Sequence, residues 1–241
     1  MSLYLKTKKI LQDNFNISLY VNNTPWGVSF KNDIRKFFPN WEPNTIFDIG
    51  ANIGQTALTY HKLWPKAKIY SFEPIPSTYK KLKENTNNNG RISPYQLAFG
   101  SKEGNVIMNE GKNSLLSSIE DISDQDIKNK IEVDITTINS FCTAKKIRKI
   151  NLLKIDTEGH DLEVVKGGGS MCENSNIDFM LLEFGIKSGK GKIALSDLVN
   201  GLSKYQMSCI GIYDQEIWKQ RKIYYGNALF ISDKLLQTIN S

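Results

Sequence analysis

Thr45-Ile46-Phe47-Asp48-Ile49-Gly50-Ala51-Asn52-Ile53-Gly54 is the stretch that decides the fold. Thr45 to Ile49 is a short apolar run that stops at a glycine, which predicts a buried strand. Gly54 to Trp64 then predicts a helix, ended by Pro65. Lys68 to Phe72 predicts a second strand, closed by Glu73-Pro74. Pro76 stands where a helix start tolerates proline, and Ser77 to Asn85 continues that helix until the polar run Asn85 to Gly90 breaks it. Ile92 to Phe99 predicts a third strand, closed by Gly100. Strand, helix, strand, helix, strand with short connections implies an α/β fold with a parallel sheet wrapped by helices.

Outward from that core, the first forty-odd residues carry Asn22-Asn23-Thr24-Pro25, Pro39 and Pro43. They predict an N-terminal helix and a hairpin-like or irregular segment, so residues 1–43 are expected to be an extension or cap on a main domain spanning 44–241. Asn105 to Asn109 and Ile131 to Thr136 read as an inserted antiparallel pair around a polar loop. The parallel pattern resumes with a strand at Ile150 to Ile155, a helix at Asp161 to Lys166, a strand at Ile177 to Phe184 and a helix at about Lys192 to Lys204. Met207 to Tyr213 and Tyr224 to Ile231 read as a final strand pair rather than another βαβ unit. No internal repeat and no long linker divides the chain.

The 241 residues are 40% hydrophobic and 23% charged, ordinary values for a chain able to bury a sizeable core. That excludes a disordered tail and a disulfide-stapled miniature. Thirty-one Lys+Arg against 25 Asp+Glu give a net charge of +6, a modest excess spread along the chain that hints at an anionic partner without specifying nucleic acid, which is not the expected partner. The mean hydropathy is −0.37 and no long apolar run is present, so no membrane span is expected. Met1 to Ile10 carries lysines without an apolar core behind them, which argues against an export signal. Cys142, Cys172 and Cys209 are far apart and in no CxxC pair, which argues against structural zinc and fits a reducing, cytoplasmic setting.

Two places carry chemistry. The glycine-bearing turn Gly50 to Gly54 lets a ligand approach the backbone, and Asp48 sits beside it. Glu73 ends the next strand, about 20 residues on, where a carboxylate can accept both hydroxyls of a ribose. Together they imply an adenosine-type cofactor. The dinucleotide fingerprint needs a glycine where Asn52 stands, and Asn52 would obstruct a pyrophosphate. S-adenosylmethionine has no phosphate, and its ammonium suits an acid such as Asp48. The plainer alternative is a tight turn and a solvated strand end.

The second place is Asp156-Thr157-Glu158-Gly159-His160-Asp161, at the mouth of the strand Ile150 to Ile155. Crowded carboxylates raise one another's pKa, a common device at reactive sites, although acids here also cap a helix N-terminus. Glu183 ends the following strand on the same edge. His61 reads as a surface or packing residue. Gly167-Gly168-Gly169 follows a helix and reads as its stop.

Ile46 to Gln55, Phe72-Glu73-Pro74, Leu97-Ala98-Phe99-Gly100 and Leu153 to Asp161 resemble, in that order, the FkbM-type S-adenosylmethionine-dependent methyltransferases, over about Pro43 to Phe184. The resemblance implies the class I methyltransferase (Rossmann-like) fold, a seven-stranded, mostly parallel sheet with one antiparallel strand and helices on both faces. It also implies O-methylation of a hydroxyl on a sugar, glycan or natural product, with S-adenosylhomocysteine as the other product. Carried over, Asp48, Gly50, Ala51, Asn52 and Gly54 would hold the methionine end, Glu73 with Pro74 the ribose, and Ala98 and Phe99 the adenine. Asp156 would lie near the methyl group, and the segment bearing Ser117 and Ser118 would line the acceptor pocket.

Methyl transfer to a hydroxyl needs alignment and removal of a proton. His160 is the expected base, with Asp156 or Glu158 orienting it and Glu183 positioning the acceptor; a carboxylate base is the alternative. A divalent metal on Asp156, Glu158 and Glu183 is a weaker reading, so no metal ligand is assigned. The rivals are a NAD-dependent sugar oxidoreductase or epimerase, which lacks a suitably placed Tyr-x-x-x-Lys pair, and a non-catalytic scaffold or RNA-binding protein of the same fold. The acceptor and the oligomeric state, a homo-oligomer included, stay open.

Overall fold

The computed structural model describes residues 3–15, 20, 24–111, 127–189, 191–218 and 222–239. In chain order the elements are α1 (Leu3–Phe15), α2 (Phe30–Phe37), β1 (Thr45–Ile49), α3 (Gln55–Leu63), β2 (Lys68–Phe72), α4 (Pro76–Thr86), β3 (Ile92–Tyr95) and β4 (Ala98–Phe99). There follow β5 (Gly104–Gly111), β6 (Ile127–Thr136), α5 (Ile138–Lys145), β7 (Ile150–Ile155), α6 (Asp161–Lys166), α7 (Ser170–Glu173), β8 (Ile177–Gly185), α8 (Leu195–Ser203), β9 (Met207–Trp218), β10 (Lys222–Ser232) and α9 (Asp233–Leu236).

Seven strands form the main sheet in the order β3-β2-β1-β7-β8-β10-β9. All run parallel except β10, which is antiparallel to both β8 and β9. Alternation along β1 sends Phe47 and Ile49 into one apolar cluster and Ile46 into the other, as period-2 side chains in a doubly covered sheet must. The first cluster joins the sheet to α5, α6 and α8 through Phe141, Val164 and Leu198; the second joins it to α2 and α3 through Ile34 and Tyr60.

The predicted helix and strand cores stand where the sequence puts them, and three details differ. The expected third strand splits at Gln96-Leu97: β3 stays in the main sheet, while β4 leaves it to pair with β6. β5 and β6 do form the expected antiparallel pair, giving a second, three-stranded sheet with β4. The segment expected to be hairpin-like or irregular contains a second helix, α2, whose Phe30, Ile34 and flanking Phe38 pack with Phe179 and Tyr213. Finally, β9 and β10 do form a pair, but β9 runs parallel to β8 across the intervening β10, so α8 is a further crossover helix. The sequence reading assigns no helix at α5, although Thr137 caps it by accepting the Ser140 N–H at 3.0 Å.

The three glycines after α6 stop it. Gly167 caps the helix and Gly169, at φ +44°, precedes α7. A Cβ on Gly167 would stand 2.0 Å from the Gly100 carbonyl oxygen, so the helix end abuts the β4 terminus. Cys142 and Cys172 are buried, Cys209 is exposed, and all three are free thiols. Among the described residues no helix is long and apolar enough to cross a membrane.

Candidate active site

Register builds the site. Ile49 pairs with Phe72 on one side and Ile155 on the other, and Ile155 pairs with Leu182. The residues that follow, Glu73, Gly50, Asp156 and Glu183, therefore stand in a row along the carboxyl edge of β2, β1, β7 and β8. Strand order reverses direction between β1 and β7, which is where open α/β sheets hold ligands. A cavity of about 260 Å³ opens there. Gly50, Ala51 and Asn52 form its floor with Gln55 and Thr56 of α3, and Glu73-Pro74 one wall. Leu97, Ala98, Phe99 and Met108 form an apolar wall, and Lys154, Asp156, Thr157 and Glu158 face it.

The turn after β1 is conformationally demanding. Gly50 has φ +77°, and a Cβ on it would lie 1.9 Å from the Asp156 carbonyl oxygen. Its N–H and that of Ala51 both donate to the Phe72 carbonyl, at 3.0 and 2.9 Å. Asn52 is left-handed too, at φ +48°, a region asparagine enters more readily than most residues. That conformation points the Asn52 N–H at Glu73 Oε2, 3.1 Å away, while the Ile75 N–H donates to Oε1 at 3.0 Å. Glu73 is thus fixed by two backbone donors, and burial pushes its carboxyl up to about 7.

Behind the turn lies a buried ion cluster. Asp48 and Lys154 are register partners on β1 and β7. The Lys154 ammonium lies 3.4 Å from Asp48 Oδ1 and 3.2 Å from Asp156 Oδ2, and donates to the Gly50 carbonyl at 3.1 Å. Burial pulls the ammonium pKa down, but Asp156 and Asp48 more than offset it and leave it above its ordinary value. Asp48 is wholly buried, and burial raises its pKa despite that lysine.

Carboxylate oxygens of Asp156, Glu158 and Glu183 lie within 4.8 Å of one another. The Lys192 ammonium donates to Glu158 Oε2 at 2.8 Å and to Glu183 Oε2. Burial would raise Asp156, but Lys154, Lys192 and a hydrogen bond with Glu183 hold it below the ordinary carboxylate value. Burial, with Asp156 adding to it, pushes Glu183 up to about 7. The two carboxyls share a hydrogen bond and are driven apart, Asp156 downward and Glu183 upward, so they titrate as a pair. Glu158 sits at φ +51° and burial raises its pKa.

Asp161 and His160 both stand apart from the cavity lining. Asp161 faces inward as a structural acceptor, taking the Thr157 N–H at 2.9 Å and its hydroxyl at 2.7 Å, which ties the loop to the first turn of α6. His160, the expected base, precedes α6 but does not line the cavity. Its Nε2 packs against Gly100, 3.2 Å from where a Cβ there would stand. Gly54 opens α3 at φ +95° and packs toward Leu82 of α4. Ser117 and Ser118 lie outside the described residues. The sequence reading omits Lys154, Lys192 and Met108. A lysine inside the otherwise apolar run Leu152 to Ile155 is a readable signal, because a buried charge demands a partner.

A family model described as "Methyltransferase FkbM domain" matches residues 48–192, from Asp48 of the ion cluster through Lys192. The chain is 27% identical over 148 residues to the hexuronic acid methyltransferase AglP of Haloferax volcanii, covering 60% of this chain and 58% of that protein. It is 24% identical over 137 residues to the 2-O-methyltransferase NoeI of Sinorhizobium fredii, covering 51% and 56% respectively. The chain thus spans little more than half the length of the curated relatives it matches. Among solved structures, the METTL16 methyltransferase domain superposes at a TM-score of 0.50 and 11% identity, over 94% of this chain and 78% of that one. At that identity the likeness speaks for the fold alone, and the fold is the class I methyltransferase sheet. The family match spans more than half of the chain and takes in the glycine turn, Glu73 and the acidic edge together: the chain belongs to the FkbM methyltransferase family.

Proposed function

We propose that this protein transfers a methyl group from S-adenosylmethionine to a hydroxyl oxygen of a sugar, glycan or natural-product acceptor. The observation that carries the reading is Glu73. Its buried carboxylate is held by two backbone N–H groups at the rim of a cavity floored by a glycine turn, the chemistry a ribose diol needs. When bound, the cofactor supplies an electrophilic methyl on a sulfonium. The residues present fit it: Asn52 Oδ1 is buried without a hydrogen-bond partner among the described residues, suiting a donor at the methionine end. The wall of Leu97, Ala98, Phe99 and Met108 suits an adenine.

The remaining steps fall to the chain. Asp156, which lines the cavity, accepts a hydrogen bond from the acceptor hydroxyl, and the proton released is taken up by the hydrogen-bonded Asp156–Glu183 pair, whose more basic member is Glu183. The apolar wall keeps water from the aligned oxygen. The name of AglP, a hexuronic acid methyltransferase, supports a sugar-type acceptor, and that of NoeI, a 2-O-methyltransferase, supports transfer to oxygen. Residues 44–241 are read as the cofactor domain and residues 1–43 as an extension to it that, with the tail, bears on acceptor choice.

Calorimetric titration with S-adenosylhomocysteine tests the reading. Micromolar affinity is expected for the wild type, rising as pH passes through about 7 and Glu73 ionises, and Glu73→Ala should lose most of it. No binding by the wild type would sink the proposal.

A further inference from the structure

We propose that Lys192 is the resident cation of the acidic end of this cleft: its ammonium, held between Glu158 and Glu183 beside Asp156, takes the place a divalent ion would occupy and fixes the carboxylates that receive the acceptor. Methyl transfer then needs no divalent metal. The inference rests on the methyltransferase reading above and adds a positioning residue to it.

Three carboxylate oxygens within 4.8 Å of one another are spaced for a hard cation. Lys192 Nζ already stands among them, 2.8 Å from Glu158 Oε2 and hydrogen-bonded to Glu183 Oε2. The Tyr225 ring lies 5.6 Å away and gives the ammonium an aromatic neighbour as well. A metal entering the cluster would have to displace an ammonium that holds two carboxylate partners.

The loop between β8 and α8 is shaped to deliver it. Gly185 has no Cβ, and one there would lie 2.9 Å from the Lys192 Cβ. Gly191, at φ +73°, brings backbone against Glu158, where a Cβ would meet Oε2 at 3.2 Å. The Gly189 N–H donates to the Lys192 carbonyl at 2.9 Å, and the Gly185 N–H to the Ile193 carbonyl at 2.8 Å. These bonds fix the stem from which the ammonium projects.

The test compares wild type, Lys192→Met and Lys192→Arg by thermal melting with and without about 1 mM Mn²⁺, since a ligand bound only to the folded state raises its melting point. The wild type and Lys192→Arg should not shift, whereas Lys192→Met, with the cluster intact and the cation gone, should gain a few degrees. Stabilisation of the wild type by Mn²⁺, or no gain in Lys192→Met, overturns the proposal. Should Lys192→Met not fold, Lys192→Gln takes its place under the same criteria. S-adenosylhomocysteine affinity is measured on the wild-type sample as the separate check on the methyltransferase reading. Failure of the wild type to bind it would fell the methyltransferase reading, while the Mn²⁺ comparison still decides the role of Lys192.

Discussion

Lys154→Met removes the ammonium from the buried cluster while keeping a long apolar chain to fill its space. Asp48, wholly buried, is then left without the cation 3.4 Å away. If it stays ionised, an unpaired buried charge costs about 3–5 kcal/mol. If it takes a proton instead, the cost at pH 7 is about 1.4 kcal/mol for each unit above an ordinary aspartate pKa near 3.9, roughly 4 kcal/mol. The cheaper route sets the loss at about 3–4 kcal/mol at pH 7. For a chain of this size that lowers the melting temperature by roughly 6–16 °C.

The two routes differ in pH dependence. In the variant the fold prefers neutral Asp48, so the folded pKa stands above the unfolded one. Stability is then fully present below about pH 4 and lost as pH rises toward 7, and at pH 5 the deficit shrinks to roughly 1.5 kcal/mol. Urea unfolding of wild type and variant at pH 5 and 7 reads both numbers. Asp48→Asn combined with Lys154→Met, which removes both charges, should recover most of the loss. A Lys154→Met deficit under about 1 kcal/mol at both pH values would show that the lysine does not compensate Asp48, and the account of the cluster would fail.

Gly50→Ala places a Cβ 1.9 Å from the Asp156 carbonyl oxygen at φ +77°. The left-handed cost of about 1–2 kcal/mol and the overpacking of about 1–3 kcal/mol should together lower stability by at least 2 kcal/mol and weaken S-adenosylhomocysteine binding; a variant equal to wild type in melting and calorimetry refutes the close approach. His160→Ala, removing a side chain that packs against Gly100 outside the cavity lining, should keep methyl-transfer turnover within about threefold. Asp156→Asn should cut turnover by about 10²–10⁴-fold, the usual worth of a general base, and the reverse ranking in a steady-state assay would return the base role to His160.

The strand ends were readable because each is an apolar run cut off by a glycine, a proline or an acid: Ile49-Gly50, Phe72-Glu73, Ile155-Asp156. Local chemistry therefore located the row of Glu73, Gly50, Asp156 and Glu183. It could not show the break at Gln96-Leu97, because leaving one sheet for another is set by what pairs with Ala98 and Phe99, and their partners Ile135 and Thr136 lie far along the chain. Nor could it place α2, whose apolar residues find partners in Phe179 and Tyr213. The two lysines are a different matter. Asp48, Glu73, Asp156, Glu158 and Glu183 were all assigned to one edge, and burying that many carboxylates together demands cations. One candidate stood out in the same text, Lys154 flanked by Leu153 and Ile155, whereas Lys192 closes the basic, glycine-rich run Lys187 to Lys192 and carries no such local signal. A search for compensating charge, rather than for histidines and acids alone, would have found Lys154. It would also have weakened the case for His160, because the Asp156–Glu183 pair offers a proton acceptor at the cavity, whose lining includes Asp156 and not His160.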